Sequence, residues 1–304
     1  MTTPSSRTRA FTFAALSCVA GAGACSIDVQ GTGAVGAVPT PATSTPPADS
    51  GGATLAPDAS APAVGPAPAA PDPSLVTLSY AGGKDKVVYR FDVDARTFTA
   101  LPSAGCPAFE ETAVTSDGNV YLTSSDSKDF FRLTAQGCQV IKRDASFPYA
   151  LGTAAKGTVS QTEEALVGYR GASYVRVSPQ SGDVVEITSN ALGSLRPSGD
   201  LTAVGTRGFL AAARNTGSGP TACPDGGDCV VEVDIKTGKP VALLSHHPGM
   251  GIFGIAHGRG GLLLYANGQV FSYDIATKTL GPSLAQMPTG ASFTGAGAPP
   301  YPAP

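Results

Sequence analysis

A hairpin-like segment recurs five times between residues 87 and 283, and this repeat constrains the fold more than any other feature of the chain. Each copy is a run of aromatic or β-branched residues, a polar turn and a second such run. The copies read VVYRFDVDARTFTAL (87–101), DFFRLTAQGCQVI (129–141), SYVRVSPQSGDVVEI (173–187), VVEVDIKTGKPVAL (230–243) and VFSYDIATKTLGPS (270–283).

The spacing of the copies is that of propeller blades. Aligned positions in the five copies are separated by 40, 44, 58 and 40 residues: Val93, Leu133, Val177, Ile235 and Ile275. A period of about 40 residues is typical of β-propellers with four strands per blade. The repeat therefore predicts an all-β chain with a single propeller.

The segments between the hairpins supply the remaining strands of each blade. Each contains a short run rich in glycine and alanine, which we expect to be the innermost strand because backbones crowd at a propeller axis. The first unit lacks such a run, and residues 290–297, around Phe293, offer one at the other end of the chain. We therefore predict five four-stranded blades closed by the C-terminal strand. Six blades would need a sixth hairpin, and the sequence contains none.

The N-terminus has the layout of a secretory signal. A basic start precedes an apolar run, and Ala22-Gly23-Ala24 leads to Cys25. This arrangement is similar to a lipobox, in which the cysteine is lipidated and becomes the first residue, although Ala22 stands where leucine is usual. Ordinary cleavage after Ala24 is the alternative. If Cys25 is lipidated, the non-acidic Ser26 favours the outer membrane, by resemblance to Gram-negative lipoproteins.

Composition divides the chain into three parts. Residues 1–24 are predicted to be the signal peptide, and 25–73 a disordered tether dominated by Ala, Pro, Gly, Ser and Thr. As a flexible coil the tether would span about 40 Å. Residues 74–304 are predicted to be the propeller domain.

Four cysteines remain in the predicted domain. Cys223 and Cys229 lie in CPDGGDC, a short turn, and we expect them to be joined to each other. Cys106 and Cys138 then form a second disulfide. Such bonds are typical of an oxidising compartment. The 58-residue step is explained by an insertion at 214–228 that carries the first of these pairs.

The chain resembles bacterial secreted lipoproteins with β-propeller domains. The resemblance is carried by hairpins with recurring aspartates, by inner strands of small residues, and by a Pro/Ala-rich tether after a lipobox. The resemblance covers the predicted mature domain and implies a propeller outside the cytoplasm. Its motifs are strand and turn signatures, so it implies no catalytic residues.

Carboxylates near the inner strands are the candidates for catalysis. Glu110 and Glu111 precede the second inner strand, and Asp200 either begins the fourth or belongs to the loop before it, so all three could line a channel mouth. A glycosidase-type mechanism needs two converging carboxyl groups. The aspartates at 92, 94, 117, 234 and 274 occupy turns and are expected to be structural.

Other chemistry is weakly supported by the sequence. His246 and His247 are expected in a loop and His257 at an inner strand end, with no metal predicted. Calcium at Asp225 and Asp228 is the one cofactor alternative. Four aromatic residues lie at or just before inner strands, where they either pack between blades or form a ligand-binding face: Phe109, Phe147, Tyr149 and Phe253.

The preferred hypothesis is a non-enzymatic, membrane-tethered propeller outside the cytoplasm, a monomer that binds or scaffolds an unknown protein or glycan. It is placed in the cell envelope as an outer-membrane lipoprotein, with secreted or periplasmic forms as alternatives. A net charge of −3 without a basic stripe argues against nucleic acid. The alternative function is a carbohydrate- or lactone-processing hydrolase that uses Glu110, Glu111 and Asp200.

Overall fold

The computed structural model describes residues 78–124, 128–143, 147–214 and 223–300. These residues form strands and turns arranged as five four-stranded antiparallel sheets. The prediction of a five-bladed β-propeller is therefore confirmed. The predicted signal peptide, Cys25 and the tether lie outside the described residues. Among the described residues, no helix is long and apolar enough to cross a membrane.

Blade 1 joins the two ends of the described chain. Its inner strand is β20 (Phe293–Gly297), which pairs with β1 (Leu78–Gly83), and β2 (Val88–Asp92) and β3 (Thr97–Ala100) follow outward. The register places Ala81 opposite Ala296. The predicted closure by the C-terminal strand is thus confirmed.

The other four blades are each continuous in sequence, with the first strand innermost. Blade 2 contains β4 (Phe109–Val114), β5 (Val120–Ser124), β6 (Phe130–Thr134) and β7 (Gly137–Lys142). Blade 3 contains β8 (Tyr149–Ala154), β9 (Ala165–Arg170), β10 (Ser173–Val177) and β11 (Val184–Thr188). Blade 4 contains β12 (Leu195–Val204), β13 (Arg207–Arg214), β14 (Gly227–Asp234) and β15 (Pro240–Pro248). Blade 5 contains β16 (Ile252–Gly258), β17 (Gly261–Ala266), β18 (Gln269–Asp274) and β19 (Thr279–Gln286).

The repeated hairpins owe their shape to a polar side chain at the start of each turn. The Asp234 carboxylate accepts hydrogen bonds from the backbone N–H groups of Lys236 and Thr237. Such side-chain-to-backbone bonds stabilise tight turns. The equivalent acceptors in the five blades are Asp92, Thr134, Ser178, Asp234 and Asp274. The structural role expected for the repeated aspartates agrees with this geometry.

The core is divided among the interfaces between blades, with one apolar cluster at each of the five. The cluster between blades 3 and 4 also contains polar anchors. Buried Tyr169 and Tyr174 donate hydrogen bonds to the carbonyls of Gly238 and Ile235, each over 2.7 Å. These bonds attach blade 3 to the repeated hairpin of blade 4.

Two disulfides stabilise the loops. Cys106 is bonded to Cys138, and Cys223 to Cys229. Both pairings agree with the predicted ones, and they are typical of proteins that fold outside the cytoplasm.

Candidate functional site

The inner strands surround the axis and share one irregularity. Consecutive inner strands are neighbours, and β20 closes the ring between β16 and β4. Each has a shift of register near its first residues, where one or more residues bulge out of the pairing. Bulges re-aim side chains and are frequent near functional sites. We call the side where the inner strands begin the bulge face, and the opposite side the terminal face.

The inner strands approach one another too closely for large side chains. A Cβ atom on Gly152 would lie 2.0 Å from the Leu201 carbonyl oxygen, and one on Gly295 would lie 2.7 Å from that of Glu110. This confirms the expectation that small residues occupy the inner strands because backbones crowd there. The axis is consequently filled with backbone and a few polar side chains.

Two carboxyl groups meet on this axis. Glu111 lies in β4 and Asp200 in β12, and their side chains are 5% and 0% exposed. They are hydrogen-bonded to each other. The expectation that Glu110–Glu111 precedes its inner strand was wrong, because β4 begins at Phe109. Asp200, expected at the start of the fourth inner strand or in the loop before it, lies within β12, which begins at Leu195. The bulge between Pro197 and Leu201 brings Asp200 to the axis.

Backbone donors from neighbouring inner strands hold the pair. Asp200 Oδ2 accepts from the N–H of Ala296, and the same carboxyl group accepts from the N–H of Thr112. Glu111 Oε2 accepts from the N–H of Leu151 over 3.3 Å. The pair therefore connects β4, β8, β12 and β20, four of the five inner strands.

A hydrogen bond between two carboxyl groups requires a proton on one of them. Burial, followed by the charge of Glu111, raises the pKa of Asp200 well above its ordinary range. Burial also raises the pKa of Glu111 to about 7, although hydrogen bonds from Asp200 and Leu151 oppose the shift. The pair thus retains a proton at neutral pH, as adjacent carboxyl groups do when both cannot ionise.

The fifth inner strand contributes a histidine. His257 is buried on β16, and its Nδ1 lies 3.0 Å from Thr202 Oγ1. Burial lowers the pKa of His257 to about 4, so the ring is neutral at physiological pH. The predicted position of His257, near the channel at a strand end, agrees with the structure.

Three threonines on the inner strands are further candidate site residues that the sequence analysis did not identify. Thr112, Thr153 and Thr202 are buried, and the hydroxyls of the first two have no hydrogen-bond partner within the described part of the chain. Each is followed by alanine, in β4, β8 and β12 respectively. A Thr-Ala pair recurring in three inner strands is the signal that could have identified them.

The bulge face above this pair exposes aromatic side chains. Tyr149 on β8 is 53% exposed, and Phe253 on β16 is 46% exposed. By contrast, Phe109 is buried, and Phe147 packs against Phe130 with ring centroids 4.9 Å apart. The four aromatic residues predicted for this face therefore separate into two that pack and two that are accessible.

Glu110 belongs to this face and not to the axial pair. Its charge, followed by burial, raises the pKa of Tyr149. The two residues line a cavity of about 160 Å³ between blades 2 and 3, which Lys128 and Arg170 also line. The structure thus brings Glu111 and Asp200 together and places Glu110 in a separate, accessible position.

The remaining predicted residues have structural partners. His246 and His247 lie within β15, so the prediction of a loop was wrong: the inserted segment extends β14 backwards and pairs with them. Asp225 forms an ion pair with Arg214 over 2.7 Å, and Asp228 accepts from the N–H of Ile252 over 2.7 Å. Asp117 accepts from the hydroxyl of Thr115 in its turn. No cluster of three or more metal-ligating side chains occurs among the described residues.

Comparisons with known proteins add little to this geometry. No protein-family model matches the sequence, and no curated protein matches it. A chain in the crystal structure of a nidogen/laminin complex is similar at 10% identity and a TM-score of 0.46, over 73% of this chain and 97% of that one. The "putative TolB from Agrobacterium tumefaciens" is similar at 10% identity and a TM-score of 0.40, over 69% and 80%. Likenesses of this strength say nothing about ligand or activity.

Proposed function

We propose that this chain is a membrane-tethered propeller outside the cytoplasm that binds its ligand on the bulge face. The observation that carries the proposal is the exposure of Tyr149 and Phe253 on that face. Large aromatic side chains are costly to leave in water and are common at the centre of binding surfaces. Glu110 lines a cavity with Tyr149, and the exposed Arg196 near the start of β12 adds a charge of the opposite sign to the same face.

The tether is supported by sequence and by the disulfides. Cys25 follows Ala-Gly-Ala after an apolar run, and a long Ala/Pro-rich segment separates it from the first strand. A lipid on Cys25 would attach the chain to a membrane, and the disulfides are typical of proteins in an oxidising compartment. Mass spectrometry of the mature N-terminus tests the tether. We expect a diacylglyceryl-modified Cys25, and an unmodified start at Cys25 or Ser26 would contradict it.

The alternative function, a hydrolase, depends on the axial carboxyl pair. The raised pKa of Glu111, about 7, is of the kind found in active sites. However, glycosidases separate their carboxyl groups by about 5–9.5 Å to admit a sugar or water. Glu111 and Asp200 are in hydrogen-bond contact and buried, with backbone N–H groups as their other partners. This geometry supports a structural role for the pair and a binding role for the face above it.

A photo-crosslinking experiment tests the proposed face in living cells. The full chain would carry p-benzoylphenylalanine in place of Tyr149 or Phe253, with Val241 as the control because it is 58% exposed on an outer strand. We expect a discrete cross-linked glycan or protein at both face positions and none at Val241. No product at the face, or equal products at all three positions, would exclude the bulge face as the binding site.

A further inference from the structure

A large basic cleft lies on the terminal face, away from the residues of the proposed binding face. It has a volume of about 1090 Å³ and is lined by residues of blades 1, 4 and 5. Four of the lining residues are cations: Arg96, Arg207, Arg259 and Lys278. The lining contains two aspartates, Asp94 and Asp274, so cations outnumber anions although the whole chain is acidic.

Two of the four cations are already paired. Arg207 forms a two-point ion pair with Glu232, over 2.7 and 2.9 Å, and its guanidinium lies 5.0 Å from the centre of the Phe209 ring. Arg259 forms an ion pair with Asp94, which connects blade 5 to blade 1. These contacts hold one wall of the cleft in place.

The other two cations are available to a ligand. Arg96 and Lys278 are exposed, and neither forms an ion pair with any residue in the described ranges. Asp274, the nearest acidic residue in sequence to Lys278, accepts from the backbone N–H of Thr277 in its own turn. Two unpaired cations therefore border a cleft in which two further cations are fixed.

The backbone at these two positions is one that glycine would adopt more easily. Arg96 and Lys278 have φ of 54° and 56°, in the left-handed region that side chains disfavour. The equivalent turn positions in blades 3 and 4, four residues after the capping side chain, hold Gly182 and Gly238. Blades 1 and 5 thus have a cation at the position where blades 3 and 4 have glycine. Both cations line the same cleft.

Apolar residues complete the cleft. Val93 and Leu262 are buried in its lining, and Ile275 and Leu284 are partly exposed there. A ligand with both an anionic group and an apolar part would therefore find partners for each. A small hydrophilic anion would use only the cations.

The chain enters the domain on the same face. Leu78, the first described residue, is paired with Asp92, which begins the turn that carries Arg96. In the proposed function, the segment from residue 25 to 77 leads from this point to a membrane. The cleft therefore lies on the side of the propeller from which the tether leaves.

We propose that the cleft binds the phosphate group of an anionic membrane lipid, an inference that rests on the proposed tethering. Arg96 and Lys278 bind the phosphate, Arg207 and Arg259 supply the surrounding positive charge, and the partly exposed Ile275 and Leu284 contact the glycerol and the first acyl carbons. Binding would hold the terminal face against the membrane and leave the bulge face exposed to the other side.

The test uses the full exported chain with Cys25→Ala, which cannot be lipidated. Any vesicle binding then comes from the protein surface and not from a lipid anchor, so the cleft and the tether are tested separately. Sedimentation of this chain with vesicles of phosphatidylcholine and phosphatidylglycerol is compared with its sedimentation with vesicles of phosphatidylcholine alone. We expect binding only to the anionic vesicles. Adding Arg96→Gly and Lys278→Gly should weaken it about thirtyfold, since each basic residue near an anionic surface contributes about fivefold.

The glycine substitutions suit the backbone, so these variants should fold at least as well as the parent. The matched control is Lys86→Gly with Lys128→Gly, because both lysines have positive φ and lie on the bulge face. Equal losses in the two double variants, or no binding of the Cys25→Ala chain to anionic vesicles, would overturn the proposal. Inorganic phosphate should compete only weakly, because it lacks an apolar part; displacement of the vesicles by phosphate at a lower concentration than that of the anionic lipid, at constant ionic strength, would identify a free anion as the ligand and also overturn it. An unmodified Cys25 with intact vesicle binding would refute the tether alone.

Discussion

Glu111 and Asp200 form a hydrogen bond to each other on the propeller axis, although both are carboxylic acids. Because the bond exists only while the pair holds a proton, it connects the stability of the ring to pH. Asp200 also connects blade 4 to the last strand, because its carboxyl group accepts a hydrogen bond from the N–H of Ala296.

Substituting Glu111→Gln should reduce the pH dependence of stability. The pKa of Glu111 is higher in the folded chain, about 7, than the ordinary value of 4.5, so the folded state holds more protons between these values. The stability that this provides is complete below pH 4.5 and is lost as the pH rises through about 7. For each such proton the slope is at most about 1.4 kcal/mol per pH unit. Urea midpoints from pH 4.5 to 8 should fall for the parent and less for Glu111→Gln. Glu186→Gln, a control at an exposed position on the outer strand β11, should keep the parent slope, and equal slopes in all three would contradict the assignment.

Substituting Asp200→Ala should destabilise the ring more than Asp200→Asn does. Alanine leaves the N–H groups of Ala296 and Thr112 buried without an acceptor, at a cost of about 1–3 kcal/mol each. Asparagine keeps an acceptor oxygen for one of them and can donate to Glu111. Thermal unfolding followed by circular dichroism measures the difference. Indistinguishable variants would mean that Asp200 does not hold the backbone.

His257 should change the pH dependence of stability in the direction opposite to that of Glu111. Its pKa is lowered by burial to about 4 from an ordinary 6.5, so the unfolded chain holds more protons between these values. The corresponding stability is present above pH 6.5 and is lost as the pH falls through about 4. Between pH 4.5 and 6.5 the histidine and the carboxyl pair therefore oppose each other. His257→Gln should make the parent's decline with rising pH steeper in this window, as measured by urea midpoints. An unchanged profile would count against a buried neutral ring.

Removing the two disulfides should have unequal effects. Cys106–Cys138 closes a loop of 32 residues and Cys223–Cys229 one of 6. In the chain-entropy account the longer loop contributes roughly 3.7 kcal/mol and the shorter roughly 2.2 kcal/mol. Paired serine substitutions at each bond, compared by chemical denaturation, measure the ratio. A larger loss for the short loop would show that native contacts at 223–229, and not chain entropy, dominate.

The five blades could be predicted because their signal is local. A polar side chain such as Asp234 stabilises its own turn, and the flanking strands show the expected apolar alternation. Closure by the C-terminal strand could be predicted by counting the strands available to each blade. The first blade lacked an inner strand, and one Gly-rich run near the C-terminus had not been assigned to any blade. Neither inference required knowledge of a distant contact.

The axial site could not be predicted for the opposite reason. Asp200 reaches Glu111 only because β12 bulges between Pro197 and Leu201, and that bulge is defined by pairing with β13. In the sequence, Pro197-Ser-Gly preceding Asp200 instead indicates a loop. His246 and His247 were misplaced similarly, since β15 extends to Pro248 only because the inserted segment at Gly227 and Asp228 pairs with it.

The pairing of Ala81 with Ala296 has a consequence for the order of folding. Most strands pair with strands within a few dozen residues of themselves. β1 also pairs with β2, but its inner partner β20 comes more than two hundred residues later in the chain. Contacts of such long range slow folding, and they leave an unpaired edge exposed meanwhile. During synthesis from the N-terminus, β1 is therefore an open edge until the last strand has been made. A chaperone that covers β1 during that interval would protect the chain from aggregation at the stage when it is most exposed.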